Sequence, residues 1–283
     1  MASEEQTDRG PFQDSKTLDE TEQSQAVAHS APPAVVIHEI LRKEGEDELA
    51  RRPGALVWSS LAAGLSMGFS FLTLALVRSA LPEAPWSRLI DSFGYSLGFL
   101  IAILGRQQLF TESTLTAVLP LLVRRDIGTF LSLLRFWAIV LTTNIIGTIV
   151  FARLLAIDGL FADELRKSLD AIAHDAVSGP FWPTAIKAVL AGWLIALMVW
   201  LLPSARATRL QAIVILTYVV AVGRFSHIIA GSVEASYAVF VGKASIHDYL
   251  VGFFGPTILG NTVGGVALVA LLNHAPLAPD LQE

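Results

Sequence analysis

The sequence contains no cysteine, so disulfides and thiol chemistry are excluded and the redox compartment is unreadable. Charge is also scarce: 16% of the 283 residues are charged, against about 25% in an average soluble domain. The net charge of −5 sits mostly in the two tails and says little about partners. No basic stripe with interleaved aromatics is present, which argues against nucleic-acid binding. A basic-then-apolar leader is missing too, so the first apolar span is expected to insert by itself. What the chain has instead is apolar residues, 53% of the total with a mean hydropathy of +0.57, gathered in long runs. That combination identifies an integral membrane protein.

Six spans are expected: Gly54–Leu81, Ser92–Val123, Thr129–Leu155, Phe181–Leu202, Leu210–Val241 and Tyr249–Leu272. The second and fifth exceed the roughly 20 residues needed to cross a bilayer, and both are interrupted by glycine and charge. Met1–Pro33, rich in Ser, Gln, Glu and Asp, is expected to be disordered. Val35–Leu49 reads as a short amphipathic helix on the membrane surface or on a partner subunit, or equally as a solvated lead-in. Ala156–Pro180 is a polar connection with room for a short surface helix. The expected divisions are therefore 1–53 (tail and amphipathic helix), 54–274 (six-span domain) and 275–283 (a short tail).

The stretch Gly223–Gly242 places Arg224, His227 and Glu234 at membrane depth. Ionisable groups there are costly and commonly line a polar path, and a helix can break at depth where its freed backbone faces a cavity. An internal repeat surrounds it. Gly105-Arg106 and Gly223-Arg224 lie 118 positions apart, Asn144 and Gly147 match Asn261 and Gly264 at 117, and Ala63-Gly64 match Ala191-Gly192 at 128. Each copy holds three spans, an odd number, so the second copy enters from the opposite face. Inverted repeats with one broken helix each point to a transport site at the bilayer midplane. Arg42, Lys43, Arg51, Arg52, Arg124, Arg125, Arg206 and Arg209 fall on one side, which favours cytoplasmic N- and C-termini.

Five segments, QLFTEST, LLRFW…TTNIIGT, KAVLAGWLIALMVWL, FSHIIAGSVEA and GPTILGNTVGG, together resemble the formate/nitrite transporter family over about Gly54–His274. The resemblance implies an all-α, aquaporin-like fold of six transmembrane helices with broken second and fifth helices. It also implies a homopentamer with one pore per subunit in a bacterial inner (plasma) membrane. The cargo would be a small monovalent anion, moved channel-like or with protons, and no cofactor or metal is implied. It places the pore threonine on Thr111, the apolar gate on Leu109 and Phe110, and the pore histidine on His227 after Phe225. Asn144 and Asn261 become helix-packing asparagines. The sequence departs from the family pattern at Ser226, Gly231 and Gly192, and in the added charges Arg106, Arg224, Glu112 and Glu234.

Each residue has a plainer reading as well. His227 can hold an anion's oxygens or pass a proton to a weak acid; otherwise it bonds between helices. Thr111 can face it or bond back to its own helix. Leu109 and Phe110 can dewet a constriction or simply pack. Arg224 and Arg106 can draw anions, or pair with Glu112 and Glu234 as buried salt bridges. Lys187 can anchor at the interface or attract anions. Beside anion transport stand a channel for a small neutral solute and an intramembrane serine hydrolase using Ser232 and His227. The hydrolase lacks its Gly-x-Ser-Gly context, so no enzyme is expected.

Overall fold

The computed structural model describes residues 17–277. Residues 1–16 and 278–283 of the two expected tails lie outside the described residues. Helices α1 (Glu20–His29) and α2 (Ala34–Ala50) precede the spans. The first span is α3 (Pro53–Ala80), opened by a proline in its first turn. The second is α4 (Ser87–Leu104), then an irregular break, then α5 (Ser113–Arg124). The third is α6 (Ile127–Leu155), whose first turn is capped by Asp126 accepting from Thr129 N at 2.9 Å. After α7 (Asp163–Val177) come α8 (Phe181–Leu201), α9 (Arg209–Gly223) and α10 (Ile228–Phe240). α9 and α10 form one span bent by 45°, and α11 (Asp248–His274) is the last. The result is an all-α, six-span membrane fold of two inverted three-span halves, aquaporin-like, with the second and fifth spans broken.

Within a bilayer the hydrophobic effect does not drive helices together, so close packing at small residues must. The two halves do this in the same way. α3 packs on α6, and α8 on α11. A Cβ on Gly64 would lie 2.1 Å from the Asn144 carbonyl oxygen, and one on Gly192 would lie 2.3 Å from that of Asn261. From the other side, a Cβ on Gly147 would lie 2.7 Å from Leu61 O and one on Gly264 2.3 Å from Val189 O. The same pairs of positions that repeat in the sequence thus set both helix crossings.

Three extramembrane segments differ from the expectation. Glu20–His29 is helical rather than disordered, with acids Glu20 and Glu22 in its first turn where the helix dipole favours them. α2 spends its apolar face on its own chain: Ile37, Leu41 and Leu49 are buried, Gly45 sits against the Thr116 carbonyl, and Arg135 Nη2 donates to Leu49 O at 3.0 Å. α7 is not a free surface helix either. It buries Leu165, Leu169, Ile172 and Ala173 against α3 and α10, and its Asp170 accepts from Tyr237 Oη at 2.9 Å.

α2 is tied to the end of α11 by His38 and His274, whose ring nitrogens Nε2 and Nδ1 share one proton at 3.0 Å beside Trp200. Burial lowers the His38 pKa to about 4, with His274 adding to the effect. The docked state therefore prefers neutral His38. Its contribution is full above the free value near 6.5 and declines as pH falls from there towards 4. A spin label at Lys43→Cys, the only thiol in the chain, should become more mobile between pH 7.5 and 4.5. His38→Gln should remove most of that pH response, and a response unchanged by the substitution would refute the assignment.

Candidate functional site

The two breaks are built by one local motif used twice. α4 ends with Arg106 in the left-handed region (φ 53°), where Gln107 N donates to Ala102 O at 2.9 Å. α9 ends with Arg224 at φ 50°, where Phe225 N donates to Val220 O at 2.9 Å. This is a Schellman-type C-cap, and the left-handed position falls on the arginine rather than on the glycine before it. Gly105 and Gly223 are needed for space: a Cβ would meet Ile101 O at 2.5 Å or the Phe225 ring at 2.6 Å.

Asn144 and Asn261 pin the loops beyond these caps. Asn144 Oδ1 accepts from Phe110 N at 2.9 Å, while its Nδ2 donates to Ser60 O at 2.6 Å and Gln108 O at 3.0 Å. Asn261 Oδ1 accepts from Ile228 N at 2.8 Å, while its Nδ2 donates to Ala188 O at 2.8 Å and Ser226 O at 2.9 Å. Every partner in the second set is the repeat equivalent of one in the first. Each amide satisfies backbone that the break has freed, which a membrane interior demands.

So held, the loops bring Thr111 to His227. Thr111 Oγ1 and His227 Nε2 are 2.8 Å apart and both residues are buried. His227 also caps α10, its Nδ1 accepting from Ala230 N at 3.2 Å. Because Nδ1 is an acceptor, the imidazole proton sits on Nε2 and is donated to the threonine. The Phe99 ring stands edge-on to the imidazole at 5.0 Å. Leu109 and Phe110 are fully buried beside them, Phe110 against Trp137 at 5.8 Å. Nothing in the sequence singled out Phe99, an ordinary apolar residue of its span.

A cavity opens on each side of this contact. On the His227 side, about 240 Å³ is lined by Phe225, Ser226, Arg78, Arg88, Lys187, Arg224, Asp175 and Glu234. On the Gln108 side, about 530 Å³ is lined by Arg51, Arg106, Arg206 and Arg209 with Glu44, Asp47, Glu48 and Glu112. The half-helices α5 and α10 begin between the two cavities, α5 two residues after Thr111 and α10 directly after His227, so both supply partial positive charge there.

The arginines do not pair as the sequence suggested. Arg106 reaches Glu44 at 3.4 Å and Arg224 reaches Asp175 at 3.0 Å. Their side chains are 70% and 52% exposed, at the cavity rims rather than beside Thr111. Glu112 and Glu234 form no ion pair among the described residues, and Glu112 Oε1 is buried without a hydrogen-bond partner. Glu48 of α2 enters the Gln108-side cavity and accepts from Thr116 Oγ1 at 2.6 Å and Gln108 Nε2 at 2.8 Å, with burial raising its pKa. The hydrolase arrangement is not formed: both His227 ring nitrogens are engaged, and the Ser232 hydroxyl accepts from Tyr249 at 3.2 Å. Among the described residues, no cluster of three metal-ligating side chains occurs.

Comparison with known proteins agrees with this architecture. The inner membrane protein YfdC of Escherichia coli (strain K12) is 40% identical over 250 residues, 88% of this chain and 81% of that one. The formate channel FocA of Haemophilus influenzae is 22% identical, covering 79% of this chain and 87% of the relative. A solved pentameric formate channel with formate bound superposes with a TM-score of 0.68 at 20% identity, over 80% of this chain and 98% of that one, and shares the fold. The pattern of the formate/nitrite transporter family matches residues 35–275, and the chain belongs to that family.

Proposed function

We propose that this protein carries a small monovalent anion, of the formate or nitrite kind, together with a proton through a pore in each subunit. The observation that carries the reading is the Thr111–His227 hydrogen bond, buried at the meeting of two half-helix N-termini with a cavity on either side. In this reading Arg224 and Arg106 gather anions at the two rims, and Leu109 and Phe110 hold back hydrated ions at the centre. The Thr111 hydroxyl, accepting from His227, keeps its own hydrogen to offer to a passing carboxylate or nitrite oxygen. The solute crosses the apolar segment as the neutral acid.

The relatives' names support the surroundings. One is an inner membrane protein, one a formate channel and one a pentameric formate channel. The chain accordingly assembles as a homopentamer in a bacterial inner membrane, surrounded by lipid, with α2 and both termini cytoplasmic. The test is flux into proteoliposomes of the purified pentamer, offering formate, nitrite, lactate and hydrosulfide at two external pH values. Saturable uptake of one of them, faster at the lower pH, is expected. No flux of any in tight vesicles would overturn the reading.

A further inference from the structure

Proton-coupled passage needs a group that gives up and recovers a proton, and the structure withholds that role from His227. Its Nδ1 accepts the Ala230 N–H, so a second ring proton would break the cap of α10. Thr111 cannot ionise in this range. The other acids near the path are mostly tied: Glu44 to Arg106, Asp175 to Arg224, Asp91 to Arg78 at 2.8 Å, and Glu48 to Thr116 and Gln108. Asp47 is also unpaired but exposed to solvent; away from the surface two carboxyls stay uncommitted among the described residues, one in each cavity. Glu112 directly follows Thr111, with Oε1 buried and unpartnered. Glu234 lies seven residues beyond His227 on α10, two turns along the same face, and makes no hydrogen bond or ion pair among the described residues.

We propose that Glu112 and Glu234 are the two proton stations of the pore, one on each side of the Thr111–His227 contact, each exchanging a proton with the solute in its own cavity. This rests on the anion reading above. With formate entering from the His227 side, the O–H bond of the Glu234 carboxyl breaks as a new O–H bond forms on formate. Glu234 is left as the carboxylate, to be reprotonated from water. Formic acid passes Leu109 and Phe110 and returns its proton to the Glu112 carboxylate, which releases it to the far side. No electrons are transferred, and the net movement is one anion with one proton. The reverse direction uses the same stations in the opposite order.

The charges facing each station come from several elements. Glu112 is faced by Glu44, Asp47 and Glu48 of α2 and by Arg51 just after it, by Arg106 of its own break, by Arg206 of the loop before α9 and by Arg209 at the start of α9. Glu234 is faced by Arg78, Tyr95 and Arg88 of α3 and α4, by Asp175 and Lys187 of α7 and α8, and by Arg224 and His227 across the break. The basic groups of each set can stabilise the carboxylate left behind without binding it.

The experiment compares wild type with Glu112→Gln, Glu234→Gln and the two Glu→Asp variants in proteoliposomes. It reads formate uptake and the lumenal pH change together, from pH 5.5 to 8. Wild type should move one proton per formate. Each Gln variant should lose about tenfold or more of its formate flux, and the remainder should lose its proton and its pH dependence. Each Asp variant should restore coupling with a displaced pH midpoint. Gln variants that keep wild-type flux, coupling and pH profile would overturn the relay. Where a Gln variant fails to assemble, the Asp variant decides: a displaced midpoint supports the relay and an unmoved one overturns it. Wild-type formate flux without protons would overturn the relay and leave anion transport standing. Absence of flux for formate, nitrite, lactate and hydrosulfide would overturn both.

Discussion

Asn144→Leu, with the same branching as the amide it replaces, is expected to destabilise the protein by about 2–6 kcal/mol. The substitution orphans two buried groups of the first break, the Phe110 N–H and the Gln108 carbonyl, at about 1–3 kcal/mol each. The Ser60 carbonyl suffers less, because it keeps its own i+4 partner within α3. Set against a total of about 5–15 kcal/mol, such a loss would leave little assembled protein. Asn261→Leu should cost as much, since Ile228 N and Ser226 O are the equivalent groups of the second break. Asn144→Asp keeps the acceptor for Phe110 N and, as the neutral acid the buried site favours, one O–H donor for the two carbonyls, so it should fall between. Thermal unfolding in detergent, with pentamer recovery after purification, measures all three. An Asn144→Leu protein within about 1 kcal/mol of wild type, below the cost of even one orphaned group, would show that water or relaxation satisfies the loop instead.

The second large effect is on transport. His227→Ala removes both the donor to Thr111 and the cap of α10, so flux and stability change together. His227→Asn separates them: its amide oxygen can still cap the helix, while the ring nitrogen at Thr111 is gone. Flux should drop about 100-fold in both variants, the scale of losing one donor that orients the group facing the anion, with assembly impaired by about 1 kcal/mol in the alanine form alone. Thr111→Val, which keeps the shape and removes the hydroxyl, should lose flux without loss of the cap. Unchanged flux in His227→Asn would reduce the histidine to a structural bond between half-helices.

Much of this arrangement is legible in the amino-acid sequence, for a physical reason. The spacings of 117, 118 and 128 positions reappear as hydrogen bonds: Asn144 and Asn261, Gln108 and Ser226, Ser60 and Ala188 stand at those separations. A repeat in sequence becomes a repeat in space because backbone freed at membrane depth admits few solutions. Span limits are readable to a few residues from apolar length alone. The arginines are not. Which acid Arg224 meets depends on how α7, a connecting helix some fifty residues upstream, lies across α3 and α10. The left-handed arginines are equally hidden, since glycine is the usual sign of that conformation and here the glycines serve close packing. The docking of α2 depends on Gly45 meeting the Thr116 carbonyl, a contact between segments with no shared pattern.

The unequal charge of the two cavities bears on direction. On the His227 side Arg78, Arg88, Lys187 and Arg224 outweigh Asp175 and Glu234, whereas on the Gln108 side four basic residues meet four acidic ones. Wall charge cannot drive net flow, since a passive path at equal electrochemical potential carries none. It can make the two mouths unequal in how they saturate. An anion arriving at the positive mouth fills it at a lower concentration and leaves it more slowly by the same factor. The ratio of maximal rate to half-saturation is then the same in both directions while each quantity alone differs. Such a pore scavenges scarce solute through one face and discharges abundant solute through the other.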